Sequence, residues 1–195
     1  MKELFKLSNG NKILLRHVKK SDIIGIWNNF NDVIEEGIYL PVIFPVKSQF
    51  EKQSWFDNLK KTHEICIVAE NQDLEYPINN IVGQCEITNI DWDAASHVGN
   101  LGIIVNKKYR DMGIGKKLIN AVIKESKKLY NKEKLILSCF SNNKRALNLY
   151  KKIGFNIIGV RKKQFYIDSI YYDEVLMELF IDDYFSKIPL KKELE

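Results

Sequence analysis

Val105-Asn106-Lys107-Lys108-Tyr109-Arg110-Asp111-Met112-Gly113-Ile114-Gly115-Lys116 is the most informative run in the sequence. A run of strand formers, Leu101 to Val105, ends in a polar turn that carries Arg-x-x-Gly-x-Gly and opens into a helix. Glycines lack Cβ atoms, so the backbone can bend tightly there and approach a ligand closely. The first amides of a helix have no partner within it, and the positive end of its dipole points the same way. The turn from Arg110 through Asp111, Met112, Gly113, Ile114 and Gly115 to Lys116 is therefore expected to seat an anion, and it suits a pyrophosphate. Beyond Gly113, Ile114, Leu118, Ile119, Val122 and Ile123 recur at helical spacing, with most of the lysines on the other side. No Gly-x-x-x-x-Gly-Lys-Ser/Thr is present, which excludes a P-loop. The glycines do not follow Gly-x-Gly-x-x-Gly, and no early βαβ unit precedes them, which argues against a dinucleotide-binding fold.

A second motif begins 28 residues beyond Gly115: Asn143-Lys144-Arg145-Ala146-Leu147-Asn148-Leu149-Tyr150-Lys151-Lys152-Ile153-Gly154-Phe155. It reads as one short helix, capped by Asn142 or Asn143 and ended by Gly154. Asn-x-x-Ala-x-x-x-Tyr-x-x-x-Gly-Phe placed after Arg-x-x-Gly-x-Gly resembles the GCN5-related N-acetyltransferases (GNAT), over roughly Ile13 to Leu179. The likeness is greatest to the branch that holds ribosomal-protein N-terminal acetyltransferases and spermidine acetyltransferases. The stretch Gln164 to Met177 looks like that branch's final hairpin.

The remaining elements agree with this resemblance. Lys12 to His17 reads as a strand, and Ser21 or Asp22 can cap a helix through Trp27 to Phe30. Asp32 to Pro45 is less regular, and Ser48 to Lys60 is helical. Strands follow at Ile65 to Glu70, Ile81 to Ile90 and His97 to Val105, with a hairpin loop over 71–80 that contains Pro77. After the long helix come a strand at Lys134 to Cys139 and the Tyr150 helix. A final antiparallel pair, Phe155 to Phe165 and Ile170 to Leu179, turns at Asp168-Ser169. The expected fold is thus α/β (mixed α+β): one GNAT-type domain over 1–195, with its core at about 13–179. A mostly antiparallel mixed sheet of about seven strands carries helices on both faces.

The resemblance implies acetyl-CoA as co-substrate and an amine as acceptor. In the family the pantetheine arm pairs like an extra strand with the strand before the glycine turn. Here that is Ile103, Ile104 and Val105, with Arg110 and Lys116 adding charge near the phosphates. Asn143 is the position that contacts the cofactor, and Ala146 keeps bulk away from the thioether. Tyr150 is the candidate general acid. A tyrosine pKa of ~10 lies above a thiol's ~8.5, so its proton can pass to a leaving thiolate at modest cost.

The base is less direct. Many relatives carry Glu just before Leu-Gly on the strand that leads into the turn. Here that position is Asn100, and an amide takes no proton. Glu86 is the leading substitute and Glu36 the next, with His97 and Asp91 behind them. Asp32, Glu35 and Glu36 suit a cationic acceptor. The acceptor class expected is a polyamine, small amine, amino acid or protein N-terminus. A coenzyme A-binding module without catalysis is the reading from another class: Tyr150 argues against it, and the missing Glu at Asn100 argues for it.

Composition bounds the rest. The 195 residues suit one domain with a full core. A net charge of +5, with 30 basic and 25 acidic residues interspersed, describes a solvated surface and not a nucleic-acid-binding one. The three cysteines, Cys66, Cys85 and Cys139, have no metal-like spacing and read as buried thiols in a reducing compartment. The three histidines are scattered, so no metal site is expected. The N-terminus has no signal-peptide pattern, and no apolar run approaches the ~20 residues that span a bilayer. A cytoplasmic protein without membrane contact is expected, with a homodimer among the possible assemblies.

Overall fold

The computed structural model describes residues 1–74 and 80–186. Eight strands form one sheet in the order β1-β2-β3-β4-β5-β6-β8-β7. They are β1 (Lys2–Lys6), β2 (Lys12–His17), β3 (Ile65–Asn71), β4 (Ile81–Thr88), β5 (Val98–Val105), β6 (Lys134–Phe140), β7 (Asn156–Ile167) and β8 (Ile170–Phe180). The helices are α1 (Ile23–Ile34), α2 (Gln49–Lys61), α3 (Ile114–Tyr130), α4 (Lys144–Ile153) and α5 (Ile181–Ser186).

The expected seven strands are all present, and the eighth is β1. It pairs antiparallel with β2 at the sheet edge, where only Phe5 is partly shielded and the other four residues are exposed. An edge strand that buries so little carries no clear alternation, which is why its sequence gives no strand signal. α5 is likewise additional. Pro77, placed in the expected hairpin loop, lies outside the described residues.

Strand alternation divides the two layers. On β3, Ile65, Ile67 and Ala69 join the larger core with Leu118, Ile119, Val122 and Ile123 of α3, while Cys66 and Val68 join a smaller cluster with α1 and α2. The helices thus cover both faces, which is why β3 is buried and apolar at every position from Ile65 to Ala69. Leu118, Ile119, Val122 and Ile123 are fully buried, and each such side chain contributes about 1.5–3 kcal/mol through its burial.

Helix ends follow local chemistry. Ser48 caps α2 by accepting the Glu51 amide (3.2 Å), and Asn143 caps α4 by accepting the Ala146 amide (3.1 Å). Gly154 ends α4 at φ 122°. Asp22 holds the capping position of α1 but makes no cap bond. Its carboxylate instead takes both Arg16 terminal nitrogens (2.6 and 2.9 Å) and the Lys19 amide (2.7 Å). A charge-assisted fork outcompetes a single amide donor for the same oxygens. The β7–β8 turn lies at Asp168-Ser169 as expected, with φ of 47° and 65° at its two central residues. That is the left-handed pair a tight two-residue hairpin needs.

The feature that positions the site is a divergence. β5 and β6 form the parallel pair of the sheet, matched over three positions from Val98↔Lys134 to Asn100↔Ile136. Beyond Asn100, β5 stays with β4 alone, from Leu101 to Val105, while β6 continues with β8 to Phe140. A wedge therefore opens between the two strands, and one backbone edge of Leu101 to Val105 faces into it.

Candidate active site

The glycine turn stands at the mouth of this wedge. Gly113 precedes α3 at φ 84°, ψ −6°, and Asp111 sits at φ 62°. A Cβ at 113 would meet open space, so conformation and not crowding demands glycine there. Gly115 has the opposite reason. A Cβ there would lie 3.2 Å from Leu149 Cδ2, and within 3.9 Å of the Ile103 and Val105 side chains. This glycine lets α3 pack against β5 and α4. No side chain caps α3, and its first internal bond joins the Lys117 amide to the Gly113 carbonyl (3.2 Å). The amides of Ile114, Gly115 and Lys116 thus face outward at the positive end of a 17-residue helix. Met112 packs against the core beneath, and the Lys116 side chain is exposed.

Arg110 occupies a different place from the one its sequence position suggests. Its guanidinium grips Glu36 through two bonds of 2.6 and 2.5 Å, its Nε donates to the Val105 carbonyl (2.9 Å), and it lies 5.0 Å over the Tyr39 ring. Both charged groups are largely buried. Three of the five guanidinium N–H donors are thus spent on a carboxylate and a carbonyl. The pair ties the glycine turn to the segment that joins α1 and α2. It also gives Glu36 a fixed positive partner. Arg145 of α4 also stands beside the turn, 3.5 Å from Asp111 across the two motifs.

Tyr150 lies inside the larger core on α4, 7% exposed, with Phe155 edge-on at 5.9 Å. Burial raises its hydroxyl above the usual phenol range, and the thiols of Cys139 and Cys85 add to this. Cys139, half-buried on β6, is itself pushed up to about 11 by burial and by Glu174. Asn143 spends its carbonyl oxygen on the α4 cap. Ala146 stands one turn before Tyr150, partly covered by the core.

Glu86 is central in β4, opposite Cys66 of β3 and Gly102 of β5. Its side chain lies on the α1–α2 face. A Cβ on Gly102 would sit 3.4 Å from Glu86 Oε1, so the absent side chain leaves the carboxylate next to the β5 backbone at the wedge. Trp55 of α2 donates its indole N–H to Oε2 (3.3 Å). Burial raises the Glu86 carboxyl above the usual carboxylate range; the Trp55 bond opposes this, and the charge of Glu64 adds to it. Asn100 is exposed on β5 and pairs with Thr88. His97 and Asp91 lie in the exposed connection between β4 and β5. Of the proton-accepting candidates, Glu86 is the one enclosed at the wedge.

A groove of about 640 Å³ runs along α1 and gathers Asp32, Glu35 and Glu36 with Asn29, Lys107 and Tyr109. Two contacts here had no sequence signal. Trp55 reads only as a helix residue, and nothing local announces that it meets Glu86 31 residues away. Arg145 reads only as a surface cation within the α4 motif. Among the described residues no three or more His, Cys, Asp or Glu side chains gather as a metal site. No described helix is long and apolar enough to cross a membrane.

A wedged mixed sheet with a glycine turn at its open strand and a buried tyrosine on the following helix defines an acetyltransferase-type fold. Residues 33–155 match the Acetyltransferase (GNAT) family, and the chain belongs to it. It is similar to the N-alpha-acetyltransferase of Sulfurisphaera tokodaii, 40% identical over 69 residues, which are 35% of this chain and 41% of that protein. It is also similar to the spermine/spermidine N(1)-acetyltransferase of Bacillus subtilis, 36% identical over 55 residues, 28% of this chain and 36% of the relative. The chain thus matches less than half the length of these curated relatives. An acetyltransferase structure from Salmonella typhimurium, solved with its cofactor acetyl-CoA, superposes with a TM-score of 0.78. That likeness spans 88% of this chain and 95% of the other at 16% identity, and it is one of fold.

Proposed function

We propose that the protein transfers an acetyl group from acetyl-CoA to a primary amine, with Tyr150 as general acid and Glu86 as base. The observation that carries this reading is the wedge. It leaves one edge of β5 open, with the uncapped start of α3 beyond its end, Glu86 beside the strand on the α1–α2 face and Tyr150 in the core on the other face. These residues fit the co-substrate. Outward amides at a helix N-terminus match a pyrophosphate, and an unpaired strand edge matches the amides of a pantetheine arm. Met112 to Lys116, Asn143 and Ala146 form the cofactor wall, with the backbone of Ile103 and Ile104 as the pairing edge. Arg110 and Asp111 support the turn from behind.

Acetyl-CoA supplies an activated thioester. The amine nitrogen bonds the acetyl carbon while the carbon–sulfur bond breaks. Tyr150 gives its hydroxyl proton to the leaving sulfur, and Glu86 takes the proton released by the amine. Solvent then carries that proton back to the tyrosinate, so the enzyme is restored. An alkylamine with a pKa of ~10.4 arrives mostly protonated, which is why a base of raised pKa near the cleft helps at neutral pH. The acids along the α1 groove favour a cationic acceptor, in keeping with the polyamine substrates named for the Bacillus relative.

A screen that reads free thiol release from acetyl-CoA tests this. Spermine, spermidine, amino acids, aminoglycosides and N-terminal peptides are offered as acceptors. Thiol release that depends on a polyamine and is lost in Tyr150→Phe is the expected result. Coenzyme A binding without thiol release on any acceptor would instead indicate a binding module.

A further inference from the structure

Trp55 sits where no motif points, and the structure gives it a definite partner. Among the described residues, its indole N–H to Glu86 Oε2 (3.3 Å) is the polar side-chain link from α2 to the sheet. The other α2 residues buried on that side, Phe56 and Leu59, are apolar and give α2 a seat without an orientation. The Trp55 ring is itself fixed edge-on against Trp27 (5.8 Å, 80°), and Trp27 against Phe30 (5.1 Å, 69°). The segment leading into α2 is pinned to α1 by paired bonds between Asn31 and the Val46 backbone (3.1 and 2.9 Å). The indole thus packs against a ring that is itself braced, on a helix whose lead-in is pinned to α1, and it holds one carboxylate oxygen. The other oxygen, Oε1, lies next to the side-chain-free Gly102 at the wedge.

From this geometry we infer that Trp55 is a positioning residue for the transfer reaction: its N–H occupies Glu86 Oε2 and turns Oε1 toward the amine. The inference rests on Glu86 acting as the base. A carboxylate with one oxygen tied has fewer orientations to lose on meeting the amine, and a preset direction is worth more than a nearby but turning group. The same bond favours the charged form of Glu86, against the burial that disfavours it. The groups that face Glu86 are few. β3 presents Cys66 and, at its start, Glu64; β5 presents Gly102; α2 presents Trp55. Glu64 is the charged one among them, and it acts in the direction opposite to Trp55.

The test uses the full chain labelled with carboxyl-¹³C glutamate, in which the Glu86 resonance is assigned by its absence from Glu86→Gln. Trp55→Phe keeps an aromatic ring and removes the donor. The Glu86 midpoint should then move to higher pH by roughly half a unit or more. With spermine as probe amine, the acid limb of kcat/KM should move by the same amount, kcat should fall at least about threefold, and the KM for acetyl-CoA should stay within about twofold. Phe30→Leu loosens the same aromatic group without touching the indole N–H, and it should leave both midpoints in place. An unmoved Glu86 midpoint in Trp55→Phe overturns the inference, as does an equal shift in Phe30→Leu. If Glu86→Gln keeps the acid limb, the base assignment falls and this inference with it. If Glu86→Gln loses the limb but Trp55→Phe leaves it unmoved, the base assignment stands and only the role of Trp55 falls.

Discussion

The two faces of the sheet are held by different physics. On the α3–α4 face, backbone and apolar packing do the work. Fully buried Leu118, Ile119, Val122 and Ile123 fix α3, Gly113 turns the chain at φ 84°, and Asn143 caps α4. On the α1–α2 face the apolar cluster is smaller, and polar side chains make the decisive links: Arg110 to Glu36, Asn31 to Val46, Trp55 to Glu86. This face also leaves Ile43, Phe44 and Phe50 exposed. A backbone-made seat accepts a group that does not change from one relative to the next. A wall made of side-chain pairs can be altered residue by residue to admit a different amine.

The largest effect expected from this contrast is at Tyr150, which belongs to the α3–α4 face and is the proposed general acid. Tyr150→Phe should retain the fold and acetyl-CoA affinity but lower kcat by roughly 10²-fold, as for loss of a general acid. Steady-state kinetics beside calorimetry decides this, and turnover equal to wild type would end the assignment. Next comes Arg110, which the contrast assigns to the acceptor side despite its place in the glycine motif. Arg110→Met should destabilise the protein by about 1–3 kcal/mol, because Glu36 and the Val105 carbonyl lose their donor. Urea denaturation reads that loss. The dissociation constant for acetyl-CoA should change by less than about threefold, and a larger change would return Arg110 to the phosphates.

Gly113→Val tests the backbone seat itself. A β-branched residue resists a positive φ, so the turn must open and the amides at the start of α3 must shift. Acetyl-CoA binding by calorimetry should weaken beyond tenfold, or ~1.4 kcal/mol. Unchanged affinity in a folded variant would move the anion elsewhere. The smallest effect concerns Glu86 and stability. Its carboxyl is raised above the ordinary 4.5 in the folded protein, so the native state holds that proton more tightly than the unfolded chain. The resulting stabilisation is present at low pH and is lost as pH rises from about 4.5 through the raised value. Glu86→Gln lacks this titration. Its Tm relative to wild type should therefore climb over that window, and a difference independent of pH would mean that Glu86 is not enclosed as described.

The sequence alone determined what is local. The period of α3, the Asn143 cap, the Gly154 stop and the Asp168-Ser169 turn each depend on residues a few positions apart. So does the glycine at 113, whose need is a single φ angle. The tertiary structure decided what depends on distant partners. Arg110 stands in the anion motif by sequence, but Glu36, 74 residues earlier, takes its guanidinium. Gly115 belongs to the same motif, but Leu149 on α4 sets its need for a missing side chain. Glu86 could face either side of β4 until Trp55 and Gly102 enclosed it. Side-chain pairing across the sheet is set by which elements pack together, and no period or short motif encodes that choice. The edge strand β1 was unreadable for a related reason: it buries too little apolar surface to leave a pattern, and only pairing with β2 makes it a strand.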